Sequence, residues 1–388
     1  MSAEILVVPE ILVVDDSSFN RLLLKRRLAE LGYPEPAMAA NGVEALAAIA
    51  AKSFDVVLLD LEMPELDGIG VLERLHTQSN APPVIVISAQ TEMSGVIRCI
   101  ELGAEDYLPK SFDPPLLRAR LQAVLEKKRL RDLAAERLHA LEAELESARR
   151  AQLSLVPRDF AALSRGSLTV AAHMEPAREV GGDLYDMQWI GAHHLMFVVA
   201  DVAGKGASAG LTMARSMGLI RAGVRLAAAR GEVPDPADLL TLANGDLAAD
   251  NPDMTFVTAA LAILEAGTGA GRICVAGHEA PLRLSAAGVQ VMGGYRIQPP
   301  LGIIEDLPYT SAAFTLAPGE AMLLLSDGVT EAHDMEGGLF GKERVLAALG
   351  HEAEPAAAIA ALLKDVADFV REAPPADDVT VLAVRYAG

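Results

Sequence analysis

Carboxylates, a hydroxyl and a lysine follow four short apolar runs in the first third of the chain. Asp15 and Asp16 follow ILVV, Asp60 follows VVLL, Ser88 ends VIVIS, and Lys110 ends DYLPK. The carboxyl ends of parallel strands meet at one edge of an open sheet, so these groups are predicted to converge there. Clustered carboxylates repel one another and need a cation, for which Mg²⁺ is suited. One of the carboxylates could then hold a phosphoryl group, with the lysine and the hydroxyl bonded to its oxygens.

A second set of acids is spread over the rest of the chain. Asp183 lies in GGDLYD, Asp201 in VADVAGKG, Asp327 in LLLSDGV and Asp377 in ADDVTVL. Each lies at a predicted strand edge beside small residues or a turn, where the backbone can approach a metal ion closely. Together they could hold two divalent ions with a nucleophilic water between them, and Arg178 could bind a substrate phosphate bidentately. Taken singly, each acid could also be a solvated turn residue.

The stretch VADVAGKG, residues 199–206, combines a glycine-rich turn with Lys205. A nucleotide-binding P-loop requires G-x-x-x-x-G-K-[ST], and that glycine spacing is missing here. The stretch is therefore predicted to be a metal-binding corner or a tight turn, with Lys205 facing solvent.

The elements that must position the first set lie in residues 10–126. Apolar strand-like runs alternate with helical patterns, the first of which has Ser17 as its predicted cap. This alternation, with continuously apolar strands, predicts an α/β domain with a doubly wound, five-stranded parallel sheet.

Residues 127–157 are predicted to be a helical linker, continuous with the last helix of the first domain and ended by Pro157. Apolar or small side chains recur in it at spacings of three and four, which is typical of a coiled-coil seam. The seam consists of Leu138, Leu141, Leu145, Ala148, Gln152 and Leu155. A dimerising signalling helix and a helix that packs only within its own chain both fit this pattern.

Residues 166–388 contain strand-like runs in consecutive groups, separated by helical stretches. This order predicts an α+β domain built in layers rather than a second doubly wound sheet.

Composition narrows the possible partners. The 388 residues carry a formal net charge of −20, which disfavours binding to nucleic acid and to anionic lipid. Neither an apolar run long enough to span a membrane nor the positive charge of a signal peptide is present in the sequence. The two cysteines, Cys99 and Cys274, have no metal-ligand spacing. A cytoplasmic location is therefore expected.

The first segment resembles the receiver domain of bacterial response regulators. The matching stretches are VVDDSSFNR, LLDLEMPELDG, VIVISA and DYLPK. The resemblance implies that a sensor histidine kinase phosphorylates Asp60 and that Mg²⁺ is held by Asp15, Asp16, Asp60 and the backbone carbonyl of Glu62. It also implies that Ser88, Tyr107 and Lys110 form the switch. Ser111 replaces the usual proline after the lysine, so the switch could be tuned differently.

The last segment resembles the PP2C-type protein phosphatases of the SpoIIE/RsbU class, which fold as a β-sandwich flanked by helices. The matching stretches are PAREVGGDLYD, ADVAGKGASAGLTMA, AGHEAPL, PPLGI, LLLSDGVTEA, GLFGKERV and ADDVTVL. Two Mn²⁺ or Mg²⁺ ions are implied. Asp201 would bridge them, Asp327 and Asp377 would complete one site, and Asp183 and the Val202 carbonyl would complete the other.

The same resemblance assigns further roles. Arg178 would bind the substrate phosphate, while Asp186 and Asp378 would support the ligands. Glu279 stands where the family more often has asparagine, and we interpret this as a difference at the substrate lip. The family does not use histidine as a ligand here, so His173, His193 and His194 are expected to be satisfied or exposed histidines.

The sequence thus predicts a response regulator with a metal-dependent serine/threonine phosphatase as its output. The usual substrate of the class is a phosphorylated anti-sigma-factor antagonist of the STAS type, in a partner-switching pathway, and the linker predicts a homodimer. The alternative is a catalytically silent adaptor that binds a sigma factor or an anti-sigma partner. Retention of the four acids Asp183, Asp201, Asp327 and Asp377 argues against the adaptor.

Overall fold

A computed structural model describes residues 8–33, 35–78, 80–89, 93–178, 180–249 and 251–388, without the side chains of residues 93 and 94. The chain divides into two compact units, Met1–Leu141 and Glu142–Gly388.

The N-terminal unit contains a five-stranded parallel sheet, as the sequence predicted. The strand order is β2-β1-β3-β4-β5, so every described strand end that carries a predicted site residue lies at one edge. The strands are β1 (Ile11–Val14), β2 (Ala37–Ala39), β3 (Val56–Leu59), β4 (Val84–Ser88) and β5 (Asp106–Pro109). Strands β1, β3 and β4 are buried along their whole length, which is why they read as continuous apolar runs.

Helices cover both faces of this sheet. They are α1 (Ser18–Glu30), α2 (Gly42–Ala51), α3 (Gly68–His76), α4 (Met93–Glu101) and α5 (Pro114–Leu153). The side chain of Ser17 accepts a hydrogen bond from the Asn20 N–H and caps α1, as predicted.

Helix α5 is the predicted long helix and has 40 residues. At its start, Leu117, Leu121 and Val124 are buried in the core of the N-terminal unit. Farther along, the seam residues Leu138 and Leu141 are 55% and 53% exposed.

The C-terminal unit has two five-stranded sheets, ordered β13-β10-β9-β8-β7 and β12-β11-β14-β15-β6. The pairings between neighbours in these sheets are antiparallel. The strands are β6 (Leu168–Glu175), β7 (Leu184–Ile190), β8 (His194–Val202), β9 (Val257–Glu265), β10 (Ala270–Ala276), β11 (Leu282–Ser285), β12 (Gly288–Val291), β13 (Ala312–Thr315), β14 (Ala321–Leu325) and β15 (Val379–Tyr386).

Helices flank these sheets, and the predicted sandwich architecture is confirmed. They are α6 (Phe160–Leu163), α7 (Ala207–Ala229), α8 (Pro236–Ala248), α9 (Asp327–Thr330), α10 (Gly341–Leu349) and α11 (Pro355–Val370). One core joins side chains of both sheets with α7 and α8, and a second lies between the other sheet face and α10 and α11.

One seam residue departs from the coiled-coil pattern. Gln152 is only 6% exposed and hydrogen-bonds to Gly181 of the C-terminal unit. Its side chain is therefore committed to its own chain, because a buried amide is held where both of its polar atoms find partners. None of the described helices is both long enough and apolar enough to cross a membrane.

Candidate phosphoryl-acceptor site and candidate metal centre

Asp15, Asp60 and Lys110 meet at the carboxyl edge of the parallel sheet. Lys110 Nζ lies 2.6 Å from Asp60 Oδ2 and 3.3 Å from Asp15 Oδ2. The carboxylates of Asp15, Asp16 and Asp60 each place one oxygen within 4.8 Å of the others. Asp15 and Asp60 are buried, whereas Asp16 is exposed, so a ligand could reach the cluster from one side. The arrangement fits a hard cation such as Mg²⁺, with Lys110 supplying a further positive charge.

Burial raises the pKa of Asp60, and the nearby Lys110 opposes that shift. The Leu61 N–H donates to Asp60 Oδ1 at 2.9 Å, which fixes the carboxylate plane. The backbone packs closely here, because a Cβ on Gly68 would lie 2.3 Å from the Asp60 carbonyl oxygen. Asp60 is therefore rigidly held, with Oδ2 directed at the lysine.

Asn20 and Arg21 also contact the acids of this site, although the sequence did not predict them as site residues. Asn20 Nδ2 donates to both carboxylate oxygens of Asp15, at 3.1 and 3.2 Å. Arg21 Nη1 donates to the carbonyls of Asp15 and Asp16, at 2.6 and 3.0 Å. Both lie in the first turn of α1 and orient the acidic pair. Their only sequence signal is their position one turn after the acids.

The predicted switch residues also lie at this edge. Ser88 is fully buried, and the Tyr107 hydroxyl is 3.5 Å from the Ser88 carbonyl oxygen. Glu62 is exposed in the loop after β3, and its carbonyl remains a predicted ligand. The peptide bonds of the described residues, including the one between Lys110 and Ser111, are trans.

In the C-terminal unit, the strand register brings the second set of acids to one end of both sheets. Asp183 immediately precedes β7, and Asp201 lies near the end of β8. The pairing of Leu184 with Ala200 places these two acids side by side. Asp327 follows β14 and Asp377 precedes β15, two strands that pair antiparallel in the other sheet.

Two glycines permit close backbone approach at this site. A Cβ on Gly182 would lie 2.7 Å from the Val202 carbonyl oxygen and 3.4 Å from Asp201 Oδ1. A Cβ on Gly328 would lie 1.9 Å from the Asp378 carbonyl oxygen. Any larger residue would force the backbone apart here, so the glycines of the GGD and SDG stretches are required by packing.

The acids interact electrostatically. Burial, followed by the charges of Asp327 and Asp377, raises the pKa of Asp201 to about 7. Burial and the charge of Asp201 raise the pKa of Asp183 well above its usual range. Burial also raises the pKa of Asp327, and the nearby charges of Glu331 and Asp377 add to that shift. These carboxylates destabilise one another when ionised, and a bound cation would relieve that repulsion.

The residues present fit a divalent cation. Asp183 Oδ2 is buried and has no hydrogen-bond partner among the described residues, which leaves a hard oxygen available as a ligand. Together with the Val202 carbonyl and the acids around it, this oxygen gives the all-oxygen donor set that Mg²⁺ and Mn²⁺ prefer. Across the described part of the chain, only the N-terminal cluster brings three carboxylates within 4.8 Å of one another.

Asp378 and Asp186, both buried, hold the backbone around this site. Asp378 Oδ2 accepts hydrogen bonds from the N–H groups of Gly182 and Asp183, at 2.6 and 3.2 Å. Asp186 forms a two-bond ion pair with Arg221 of α7, at 2.7 and 2.9 Å. Asp378 therefore orients Asp183 directly, and Asp186 ties β7 to α7.

Lys205 is exposed, as predicted, and it also contacts Asp377. Its Nζ lies 3.0 Å from Asp377 Oδ2 and donates to the Ala376 carbonyl at 2.5 Å. The flanking Gly204 and Gly206 have φ of +110° and +82°, a left-handed backbone that turns the lysine towards Asp377. An ammonium group thus partly neutralises one of the predicted ligands.

Three further residues were predicted from the sequence or lie next to its motifs. Arg178 is exposed in the loop between β6 and β7. Glu279 forms an ion pair with Lys342 at 2.8 Å and adds negative charge near Asp327. His278 Nδ1 lies 2.8 Å from Thr258 Oγ1, so this histidine serves a structural hydrogen bond.

Comparison with known families agrees with this geometry. Residues 191–387 match the family described as stage II sporulation protein E (SpoIIE), which is half of the chain. The chain belongs to the SpoIIE family. Its N-terminal residues 11–122 match the response regulator receiver domain. The protein therefore combines a receiver domain with a PP2C-type phosphatase domain, as the motifs predicted.

A solved structure supports the fold of this SpoIIE-family domain. The SiaA-PP2C domain of Pseudomonas aeruginosa aligns with a TM-score of 0.56 and 22% identity, covering 65% of this chain and 99% of that one. Curated relatives align over about a third of the chain. One is a probable transcriptional regulator, ycf27, from Porphyridium aerugineum, 42% identical over 118 residues. The match covers 30% of this chain and 48% of that relative, so it spans about half of the relative's length.

Proposed function

We propose that this chain is a response regulator whose output is the metal-dependent hydrolysis of phosphoserine or phosphothreonine in a protein substrate. The observation that carries the proposal is the convergence of Asp183, Asp201, Asp327 and Asp377 at one end of a PP2C-type sandwich. Four interacting acids in that fold are better suited to binding divalent ions than to a solvated surface.

In this proposal, Asp201 would contribute to the sites of two Mn²⁺ or Mg²⁺ ions. Asp327 and Asp377 would complete one site, and Asp183 and the Val202 carbonyl would complete the other. The bound ions supply Lewis-acid activation of water and of the substrate phosphate. Asp378 keeps Asp183 oriented through the two backbone N–H groups described above.

Arg178 is proposed to bind the substrate phosphate. Its exposed guanidinium lies five residues before Asp183 and can offer a bidentate contact. The substrate class proposed by family resemblance is a small STAS-type anti-sigma-factor antagonist, phosphorylated on serine or threonine. Its dephosphorylation would make this chain a partner-switching regulator.

Asp60 is the proposed phosphoryl acceptor, and a sensor histidine kinase is the proposed donor. Asp15, Asp16 and the Glu62 carbonyl would hold Mg²⁺ beside it, and Lys110 would pair with a phosphoryl oxygen. Ser88 and Tyr107 lie at the same edge and would respond to the added charge. The two-unit fold with a long connecting helix supports this division of roles.

The function is tested by measuring phosphate release from a phosphoserine peptide and from a phosphorylated STAS protein, with Mn²⁺ and with chelator. Release that requires the metal is expected. A wild-type protein that binds Mn²⁺ but releases no phosphate from either substrate would instead identify a silent adaptor.

Lys205→Met is expected to strengthen metal binding. The ammonium competes with a cation for Asp377, so its removal should lower the Mn²⁺ concentration for half-saturation by about two- to fivefold. Isothermal titration calorimetry measures this directly. Lys364→Met, which removes an exposed lysine from α11, is the matched control. Weaker Mn²⁺ binding by Lys205→Met would show that the lysine supports the site instead.

The seam leucines, of which Leu141 is exposed and Leu145 half-buried, are proposed to form a homodimer through α5. Replacing Leu141 and Leu145 with lysine should shift sedimentation towards the monomer, because charges would enter an apolar helix interface. Replacing the exposed Glu142 and Glu146 with glutamine, which changes the net charge by the same amount, is the control. Unchanged sedimentation of the leucine variant would assign this helix to intramolecular packing.

A further inference from the structure

Two buried hydroxyl groups lie where β14 ends and β15 begins, beside the acidic set. Ser326 follows β14, Thr380 is the second residue of β15, and both are fully buried. The Ser326 N–H donates to the Thr380 carbonyl at 2.9 Å, and the Thr380 N–H donates to Ser326 Oγ at 2.9 Å. These bonds fix both residues at the strand ends that carry Asp327 and Asp377.

The two hydroxyls differ in what they contact. Ser326 Oγ accepts the Thr380 N–H and also donates to the Asp378 carbonyl at 3.2 Å. Thr380 Oγ1 is buried and has no hydrogen-bond partner among the described residues. A buried hydroxyl without a partner is unfavourable, because it has lost its hydrogen bonds to water. Native structures keep few such groups, and those they keep point to a role outside packing.

Packing alone does not require a threonine at this position. Valine has nearly the same shape, is branched at Cβ as strands favour, and carries no polar atom. It occupies the positions on both sides in the same strand, Val379 and Val381. The hydroxyl is therefore what distinguishes position 380 from its neighbours in β15.

The Asp183 carboxylate lies beside this hydroxyl. The Asp183 N–H donates at 3.2 Å to Asp378 Oδ2, two residues before Thr380. Burial and the charge of Asp201 raise the pKa of Asp183, and the Thr380 hydroxyl opposes that rise because it favours the carboxylate form. Asp183 Oδ2, like Thr380 Oγ1, is buried and unpartnered among the described residues. A hydroxyl donor and a carboxylate acceptor thus lie together at this end of the two sheets.

A neutral donor suits a carboxylate that is to bind a cation. Lys205 contacts Asp377 with an ammonium group, which competes with a cation for the same carboxylate. A hydroxyl orients a carboxylate without neutralising it, so the full negative charge is retained for the metal. Carboxylates that bind metals are commonly hydrogen-bonded in this way.

We infer that Thr380 is a positioning residue, which donates a hydrogen bond from Oγ1 to the Asp183 carboxylate and orients it towards the divalent cation. Asp378 fixes the backbone of Asp183 through its N–H group, and Thr380 fixes the side chain. This inference rests on the proposed function and adds a residue that sets the metal affinity of the Asp183 site.

The test compares Thr380→Val and Thr380→Ser with wild type in the full-length chain. Valine removes the hydroxyl and keeps the branched shape, whereas serine keeps the hydroxyl and loses the methyl group. The Mn²⁺ dissociation constant from calorimetry is expected to rise about tenfold in Thr380→Val and to stay within about twofold of wild type in Thr380→Ser. Thr169→Val should leave it unchanged, because Thr169 lies at the opposite end of the β6–β15 pair.

Thermal unfolding in chelator separates this role from a structural one. Thr380→Val should unfold at a Tm no lower than that of wild type, because the hydroxyl that it loses has no partner among the described residues. At a fixed Mn²⁺ concentration, its Tm should rise less than that of wild type. A valine variant that is destabilised in chelator but keeps wild-type Mn²⁺ affinity would leave Thr380 a packing role and overturn the inference.

Equal weakening of Mn²⁺ binding in the serine and valine variants would also overturn it, because the methyl group would then be responsible. If Thr380→Val does not fold by circular dichroism, Thr380→Ala is compared with Thr380→Ser by the same measurements. A wild-type protein that binds Mn²⁺ but releases no phosphate defeats the proposed function, and the calorimetric comparison then still decides the role of Thr380. A wild-type protein that does not bind Mn²⁺ defeats both.

Discussion

Asp201→Asn is expected to abolish metal-dependent phosphate release and, at the same time, to stabilise the metal-free protein. Loss of the proposed metal ligand should remove several kcal/mol of charge stabilisation, so the rate should fall by about a thousandfold. The gain in stability has a separate cause, since asparagine cannot be repelled by the carboxylates around it. Burial and the charges of Asp327 and Asp377 raise the pKa of Asp201 to about 7.

The sign of the pH dependence follows from that raised pKa. A carboxyl whose pKa is higher in the folded state stabilises the fold below its unfolded pKa, and this contribution is lost as pH rises through its folded pKa. In chelator, wild-type stability should therefore fall between about pH 4 and pH 7 through this group. At pH 8, Asp201→Asn should unfold at a Tm at least about 2 °C higher than wild type.

Adding Mn²⁺ is expected to make wild type more stable than Asp201→Asn, the reverse of the order in chelator. A ligand at one hundred times its Kd adds about 2.7 kcal/mol to the stability of wild type, and the variant should gain far less. Asp253→Asn, an exposed change outside the acidic set, should behave as wild type in both conditions. A variant that is less stable than wild type in chelator, or that keeps its Mn²⁺ response, would contradict the proposed role of Asp201.

Continuous apolar runs made the central strands of the parallel sheet predictable, whereas strands with mixed sequences were harder to recognise. Val56–Leu59 is buried at every position, so its sequence is apolar throughout. By contrast, the run LYDMQWI of β7 mixes apolar and polar residues and contains a buried charge. Asp186 is tolerated there only because Arg221, on a later helix, forms a two-bond ion pair with it. The sequence of the strand itself does not indicate that Arg221 is the partner.

The candidate site likewise contains residues that could be predicted from the sequence and residues that could not. Acids at strand ends could be identified because sheet topology gathers the ends of strands, whatever the loops between them do. The contacts of Gln152 and Lys205 could not be identified in this way. Each depends on a partner elsewhere in the chain, Gly181 for one and Asp377 for the other. The spacing within the helix placed Gln152 in a predicted coiled-coil seam. The turn around Lys205 predicted only that its side chain faces solvent.

Asp60→Asn is expected to abolish phosphorylation by a sensor kinase or by acetyl phosphate while leaving the basal metal-dependent rate unchanged. Asparagine keeps the shape of the buried side chain, and burial, which raises the pKa of Asp60, favours a neutral group at this position. Lys110 would keep an acidic partner in Asp15, 3.3 Å away. The fold of the N-terminal unit should therefore persist, and only the acceptor is lost.

The measurement is a gel that separates phosphorylated from unphosphorylated protein, run beside a phosphate-release assay with and without beryllofluoride. Asp113→Asn, an exposed change near Lys110, should be phosphorylated like wild type. Phosphorylation that persists in Asp60→Asn would place the acceptor elsewhere. A basal rate that disappears would give Asp60 a structural role. An unchanged basal rate that no longer responds to beryllofluoride would establish that the receiver controls the phosphatase through Asp60.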